Sequence, residues 1–317
     1  MADDVSKRIA RFIEPFRVSP GSSVNLAKDF DPAFEAGIGK KKDGVALLNE
    51  GIELLSDYQA RLAAQDTYGV LVVLQALDAA GKDGTIRHVM SGVNPQGVRV
   101  ESFKVPSAQE LDQDFLRRYQ VRLPSRGEIG IFNRSHYEEV LVVRVHPENL
   151  LREKLPVETR GDHVWKHRYE AINDWERYLF ENGFRIVKLF LNLSQEEQRV
   201  RFLRRIDLPG HNWKFSSHDL EERRFWDAYQ EAFSEMFTHT STPWAPWYVI
   251  PADRKWFARI AAAAVIAHTL IEIDPQYPTL EDEALSDLEG AKAQLESEAP
   301  TGAAPDPFEQ KGDQRGL

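Results

Sequence analysis

An α/β architecture, a parallel sheet doubly wound by helices, follows from three features of the chain. Apolar runs of strand length alternate with longer stretches of helical period, the pattern of successive βα units. The run from Tyr68 to Leu77, YGVLVVLQAL, is apolar without alternation, as a strand covered on both faces must be. A glycine turn and a helix follow it directly, and in such sheets ligands gather beyond the carboxyl ends of the strands.

Taken in order, residues 1–44 form an N-terminal extension of uneven pattern that closes on Lys40-Lys41-Lys42. That basic run suits a solvated loop or a contact with an anionic substrate. From Ala46 to Ala64, Leu47, Leu48, Ile52, Leu54, Leu55, Tyr58 and Leu62 recur at helical spacing. The strand at 68–77 leads through its turn into a helix over Thr85–Met90. Further strands are expected at 98–105, 128–133, 185–191 and 247–250, with helices at 108–122, 162–182, 195–206, 217–238 and 253–272. Ser194 and Glu197 have capping-box spacing, and Ser216 with Asp219 gives a cap with an acidic third position.

The segment joining those two capped helices holds Arg199, Arg201, Arg204, Arg205, Lys214, Arg223 and Arg224, interrupted by Pro209-Gly210. It reads either as two amphipathic surface helices or as a lid, about 195–225, that lowers cations onto phosphates. The domain plan is therefore the extension, a catalytic domain over 45–272 that includes this hairpin, and a tail over 273–317. From Glu272 onward there are 12 acidic residues against Lys292, Lys311 and Arg315, a net of −9 within a formal total of −10. Residues 298–317, rich in Pro, Gly and Ala, read as disordered. No internal repeat is visible, so one catalytic core is expected.

Composition narrows the function. The chain has no cysteine, which excludes disulfides and thiolate metal sites and suits a cytoplasmic location. Its first residues lack the apolar core of a signal peptide, and the longest uncharged apolar run, Ile260–Ala267, is far short of the roughly 20 residues a bilayer demands. A soluble protein with no membrane partner is expected. His163 and His167 stand four apart, but HVWKH lacks the glutamate of the zinc motif. Trp165, Tyr169, Ile172, Trp175 and Leu179 on the same helix mark core packing, and Pro243-Trp-Ala-Pro-Trp247 reads as a rigid loop.

Two motifs carry chemistry. In QALDAAGKDGTI (75–86), only Gly81 and Lys82 fit the standard phosphate-loop pattern; Ala76 replaces its first glycine and Asp83 its hydroxyl. The strand, turn and helix order still aims backbone N–H groups and a helix N-terminus at an anion, with Lys82 as a point charge. Asp78 makes sense beside phosphates if a hard cation such as Mg²⁺ is present, because it prefers oxygen ligands and keeps several waters. The second motif, NRSHYEE (133–139), ends a strand in Asn133 where an aspartate would be usual; Glu138 or Glu139 is placed to supply the carboxylate. Arg134 faces phosphate or forms a structural ion pair.

Four segments, DAAGKDGT (78–85), NRSHYEEV (133–140), WKFSSHDLEERRFWDAY (213–229) and TPWAPWYVI (242–250), resemble the family-2 polyphosphate kinases, in the family's order. The resemblance spans about residues 12–272. It implies a P-loop kinase-like fold, three α/β/α layers with a helical lid, and Mg²⁺-dependent, reversible phosphoryl transfer between inorganic polyphosphate and nucleotides, with Mn²⁺ an alternative cation. It implies Asp78 as metal ligand, Lys82 and Arg134 on phosphate, and Arg205 and Arg223 as lid cations. Ala80, Gly81, Gly84, Thr85, Asn133 and Lys214 join the expected phosphate and nucleotide contacts, and Glu138 the metal site. Asn133 with Glu138 resembles the class III subgroup, whose members accept both AMP and ADP. Adenine nucleotides, guanine nucleotides as a second choice, no nucleic acid, and a homo-oligomer, tetramer or dimer, complete the expected partners. An ATP-dependent nucleoside monophosphate kinase on the same fold, and a non-catalytic phosphate or nucleic-acid binding module, are the competing readings.

Overall fold

The computed structural model describes residues 2–298 apart from 162 and 211. Two compact units divide the chain, residues 1–276 and 277–317. The first is built on five parallel strands: β1 (Gly69–Gln75), β2 (Val98–Ser102), β3 (Ile129–Asn133), β4 (Phe184–Asn192) and β5 (Trp247–Pro251), in the order β2-β3-β1-β4-β5. All seven residues of β1 are buried, which is why its sequence shows no alternation. Its register, Val72 opposite both Ile131 and Val187, aligns the carboxyl ends of the central strands.

Helices α1 (Ala2–Ile13), α2 (Lys41–Gln65), α3 (Lys82–Val89) and α8 (Lys255–Ile273) cover one face. There Leu55, Leu62, Phe257 and the run Ala261–Ala263 pack on Val70, Val72, Leu74, Val187 and Leu189. The other face takes α4 (Val164–Glu181) and α7 (Trp226–Thr240), where Ile172, Phe233 and Phe237 meet Leu71, Val73, Phe132 and Phe190. Small alanines let α8 approach closely. This helix is long and apolar enough to cross a bilayer by length and composition, a feature hidden by counting only its unbroken apolar run, and most of it is buried in the first core.

Residues 1–44 are part of the same compact unit. Ile13 and Phe16 enter the first core, Val18 and Leu26 the second. The amide of Val18 donates to the carbonyl of Trp247 at 2.9 Å, and Arg17 bridges Tyr248, so this segment covers the exposed edge of β5. The regular helix α1 was not expected there.

Three other expectations change. The helix foreseen over 108–122 is two short helices, Ala108–Leu111 and Arg117–Gln120; Asp114 takes the Leu116 amide at 3.1 Å and breaks the run. The helix over 217–238 is interrupted: α6 (Ser217–Glu222) passes through a 3₁₀ turn, Arg223–Phe225, before α7. The capping box at α5 (Gln195–Asp207) is only half made. Ser194 accepts from the Glu197 amide at 3.1 Å, but the Ser194 amide goes to Asp253 at 2.8 Å while Glu197 turns to Arg201.

The second unit contains α9 (Asp282–Ser297), with Glu298 as its C-cap. The disorder expected for 298–317 falls, beyond Glu298, outside the described residues.

Candidate active site

β1 delivers the chain to the carboxyl edge of the sheet, where residues 76–81 turn into α3. Gly81 caps that helix at φ 107°, and Ala79 also has positive φ, 65°. The Thr85 amide closes the first turn onto the Gly81 carbonyl at 2.9 Å. The amides of Lys82, Asp83 and Gly84 precede that bond and have no intrahelical acceptor, so they are available to an anion. Thr85 itself is buried. Gly84 is not a tight approach: a Cβ there would come no nearer than 3.9 Å to Arg259.

The Lys82 ammonium folds back onto the Ala76 carbonyl at 2.7 Å. Burial, aided by Arg134, pushes its pKa down to about 8 against the opposing pull of Asp78, Glu138 and Asp83. At the end of β3, Arg134 sits at φ 64°, and its guanidinium spans two carboxylates, Asp78 at 3.2 Å and Glu138 at 3.5 Å. Arg134 is therefore ion-paired, as one of its two readings had it, at the wall of a cleft. Glu138 above all, then Asp78, raise its pKa. Asn133 donates to Asp83 at 2.9 Å, which engages both the amide and the turn carboxylate left over from the phosphate-loop pattern.

A cleft of about 530 Å³ opens between this edge and the helical hairpin. Asp78, Arg134 and Glu138 line one wall; Gln198, Asp219, Glu222 and Arg223 line the other. Arg223 donates to the Gln195 carbonyl at 2.8 Å and to Gln198 at 2.7 Å. Arg205 does not line the cleft; it stands behind Asp219, 3.5 Å away. The side chain of Lys214 lies outside the described residues. Asp219 and Glu222 were missed as site residues because the cap at Ser216 explained the first and nothing marked the second.

Glu139 takes no part in this cleft. It is buried under Arg168 and Tyr119, and burial pushes its carboxyl up to about 7. It lines a second cleft of about 850 Å³ that shares Arg134, Glu138 and Val142 with the first and is walled by Phe103, Phe115 and Tyr119.

Among the described residues no group of three or more His, Asp or Glu is arranged as a metal site. The donors nevertheless fit Mg²⁺, which takes one or two carboxylates and fills its shell with water and phosphate oxygens. Asp78 and Glu138 converge on one guanidinium, and Asp219 stands near enough to Asp78 for their charges to interact.

The sequence profile of the family described as Polyphosphate kinase 2 matches residues 38–279. The chain belongs to that family. An ADP-polyphosphate phosphotransferase of Rhodopseudomonas palustris is 51% identical over 267 residues, which cover 83% of this chain and 91% of that protein. An AMP/ADP-polyphosphate phosphotransferase of Meiothermus ruber is 47% identical over 270 residues, 84% and 96% of the two chains. The crystal structure of Polyphosphate Kinase 2 from Arthrobacter aurescens TC1 superposes with a TM-score of 0.78 at 38% identity, covering 88% of this chain and 96% of that one. The fold is thus P-loop kinase-like, and this polyphosphate kinase 2 family member is a phosphotransferase. The turn at 76–81, Arg134 and both clefts all lie within residues 1–276.

Proposed function

We propose that this enzyme transfers a terminal phosphoryl group from inorganic polyphosphate to AMP and to ADP, with Mg²⁺ held by Asp78 and Glu138. The observation that carries a polyphosphate donor lies on the flank of the phosphate loop away from the two clefts. Arg204, Lys255, Arg259 and Arg87 gather there, each exposed or partly exposed, and none is in an ion pair among the described residues. Burial first, then Arg201, Arg204 and Arg259, lower the pKa of Lys255 against the pull of Glu197, and burial, then Arg87, lowers that of Arg259. Unneutralised cations repel one another, so this arrangement suits a long anion. An adenine base would ask for an apolar slot.

The apolar second cleft suits the base of the acceptor nucleotide, with its phosphates reaching Arg134. A nucleotide's terminal phosphate oxygen is already substantially ionised near neutral pH, so no general base is needed and in-line transfer suffices. Lys82, the free amides of α3 and Arg134 hold the two anions against their mutual repulsion. Bound Mg²⁺ would add charge neutralisation at the transferred group. Acceptance of both AMP and ADP, as in the class III subgroup, reversibility, guanine nucleotides as weaker substrates, a cytoplasmic site of action and a homo-oligomer belong to the same reading. The name of the Meiothermus ruber relative supports the dual acceptor.

Purified protein incubated with Mg²⁺ and AMP or ADP, once with polyphosphate and once with ATP as donor, tests the proposal. Product forms from both acceptors with polyphosphate. Phosphorylation of AMP by ATP but not by polyphosphate would replace this reading with a nucleoside monophosphate kinase.

A further inference from the structure

We propose that Arg201 is a positioning residue that clasps the phosphate loop to the base of the lid and aims the loop's amide at the donor. It lies in the arginine-rich segment, yet it is only 3% exposed and its donors are committed. Nη1 donates to the carbonyls of Ala79 at 3.1 Å and Ala80 at 2.7 Å. Nη2 donates to the carbonyls of Ala252 at 2.5 Å and Asp253 at 3.2 Å, and Nε to Glu197 at 2.8 Å. A cation spent on fixed backbone acceptors is not a mobile phosphate ligand.

The consequence follows from peptide geometry. A planar trans peptide points its N–H opposite to the preceding C=O. With the Ala80 carbonyl drawn to Arg201, the Gly81 amide is turned away from the guanidinium, while the Ala80 amide is already used by the Leu77 carbonyl at 3.3 Å. The loop also holds Ala79 in the left-handed region, which is strained for a residue with a Cβ. Standard phosphate loops make such turns with glycine; here Ala79 and Ala80 are held in place by hydrogen bonds to one side chain.

The clasp also couples elements. Asp253, bound through its carbonyl by Arg201, caps α5 through the Ser194 amide. One turn along, Gln198 donates to the Asp78 carbonyl at 3.0 Å and accepts from Arg223. The start of the lid, the phosphate loop and the turn after β5 therefore form one hydrogen-bonded unit.

The inference rests on the phosphoryl-transfer reading, so wild-type turnover with polyphosphate is measured first; its absence would count against that reading and not against the clasp alone. Full-length Arg201→Lys keeps the charge and loses the planar fork. Its kcat with polyphosphate and ADP is expected to fall at least about tenfold, with KM for ADP within about twofold. Adding Ala79→Gly, which relieves the strained residue, is expected to restore part of that kcat. Arg201→Met is expected to lose more; should it fail to fold, the lysine pair still decides. Wild-type kcat in Arg201→Lys, or a loss confined to the KM for polyphosphate, would overturn the proposal, as would a kcat loss that Ala79→Gly leaves unchanged.

Discussion

Lys82 shows how much one side chain's protonation can control. With burial pushing it down to about 8, the unliganded enzyme carries this charge below that pH and loses it above. If polyphosphate binds to the ammonium form, as the proposed function has it, its dissociation constant is expected to be flat up to about pH 8 and then to rise by up to about tenfold per pH unit. Arginine stays charged throughout, so Lys82→Arg should bind with no such alkaline rise, whatever its turnover. Calorimetric titrations of both proteins between pH 7 and 9.5 check this; a wild-type profile parallel to that of the arginine variant would refute it. Position in the two motifs marked Lys82, Asp78 and Arg134, because each sits at or beside a turn that follows a strand. Motif position could not sort the arginines of the 195–225 segment, since Arg199 pairs with Glu196 at the surface, Arg201 is buried on carbonyls, Arg205 backs Asp219 and Arg223 lines the cleft. Helical spacing puts such arginines on faces, but only the packing of α5 on the loop decides which face is dry.

Elements were legible where the pattern of burial is simple. β1, β3, β4 and β5 are apolar runs buried along most of their length, while the edge strand β2, VRVES, is largely exposed; each was visible within a few residues. α1 was passed over although Val5, Ile9, Phe12 and Ile13 keep helical spacing, and Phe12, Phe16 and Phe257 packing edge to face hold it in place. β4 hides a charge that its apolar pattern does not explain. Lys188 and Glu176, both 0% exposed, pair at 2.7 Å, and Lys188 also donates to Tyr137 at 2.9 Å and to the Thr240 carbonyl at 2.6 Å. Burial pushes Lys188 down although Glu176 pulls it back; burial would also raise Glu176, but Lys188 and His136 hold it below the ordinary carboxylate range. The pair joins α4 and β4 to the residues directly after Arg134. Lys188→Met leaves a buried carboxylate without its cation and is expected to cost about 3–5 kcal/mol. Adding Glu176→Gln, which keeps hydrogen-bonding capacity for His136 and Tyr137, should return a large part, about 2 kcal/mol or more. Urea denaturation of the wild type, both single variants and the double measures the cycle; equal losses in Lys188→Met and the double variant would show that the pair's charges do not matter.

At the scale of the whole molecule, the sheet order puts β1 at the centre, so the turn after it meets Arg134 from β3 on one side and α5, which follows β4, on the other. That convergence is a property of topology, and the chain's motif order alone did not contain it. The charge distribution was readable, because it is a sum over sequence: residues 272–317 carry −9 of the net −10. Every residue placed in the two clefts lies in the unit 1–276, together with both cores. A chain ended after Gln276 is therefore expected to fold with an unchanged kcat. Its KM for polyphosphate carries the information about the tail's charge. Fields from exposed charges reach about 30 Å at 0.01 M salt but only about 8 Å at 0.15 M. If the tail acts only as a diffuse anion that repels the donor, its removal lowers the polyphosphate KM at low salt and leaves it unchanged at physiological salt. A KM that shifts equally at both salt concentrations would mean instead that tail residues touch the donor or the lid directly, and a fall in kcat would place the tail in the catalytic unit.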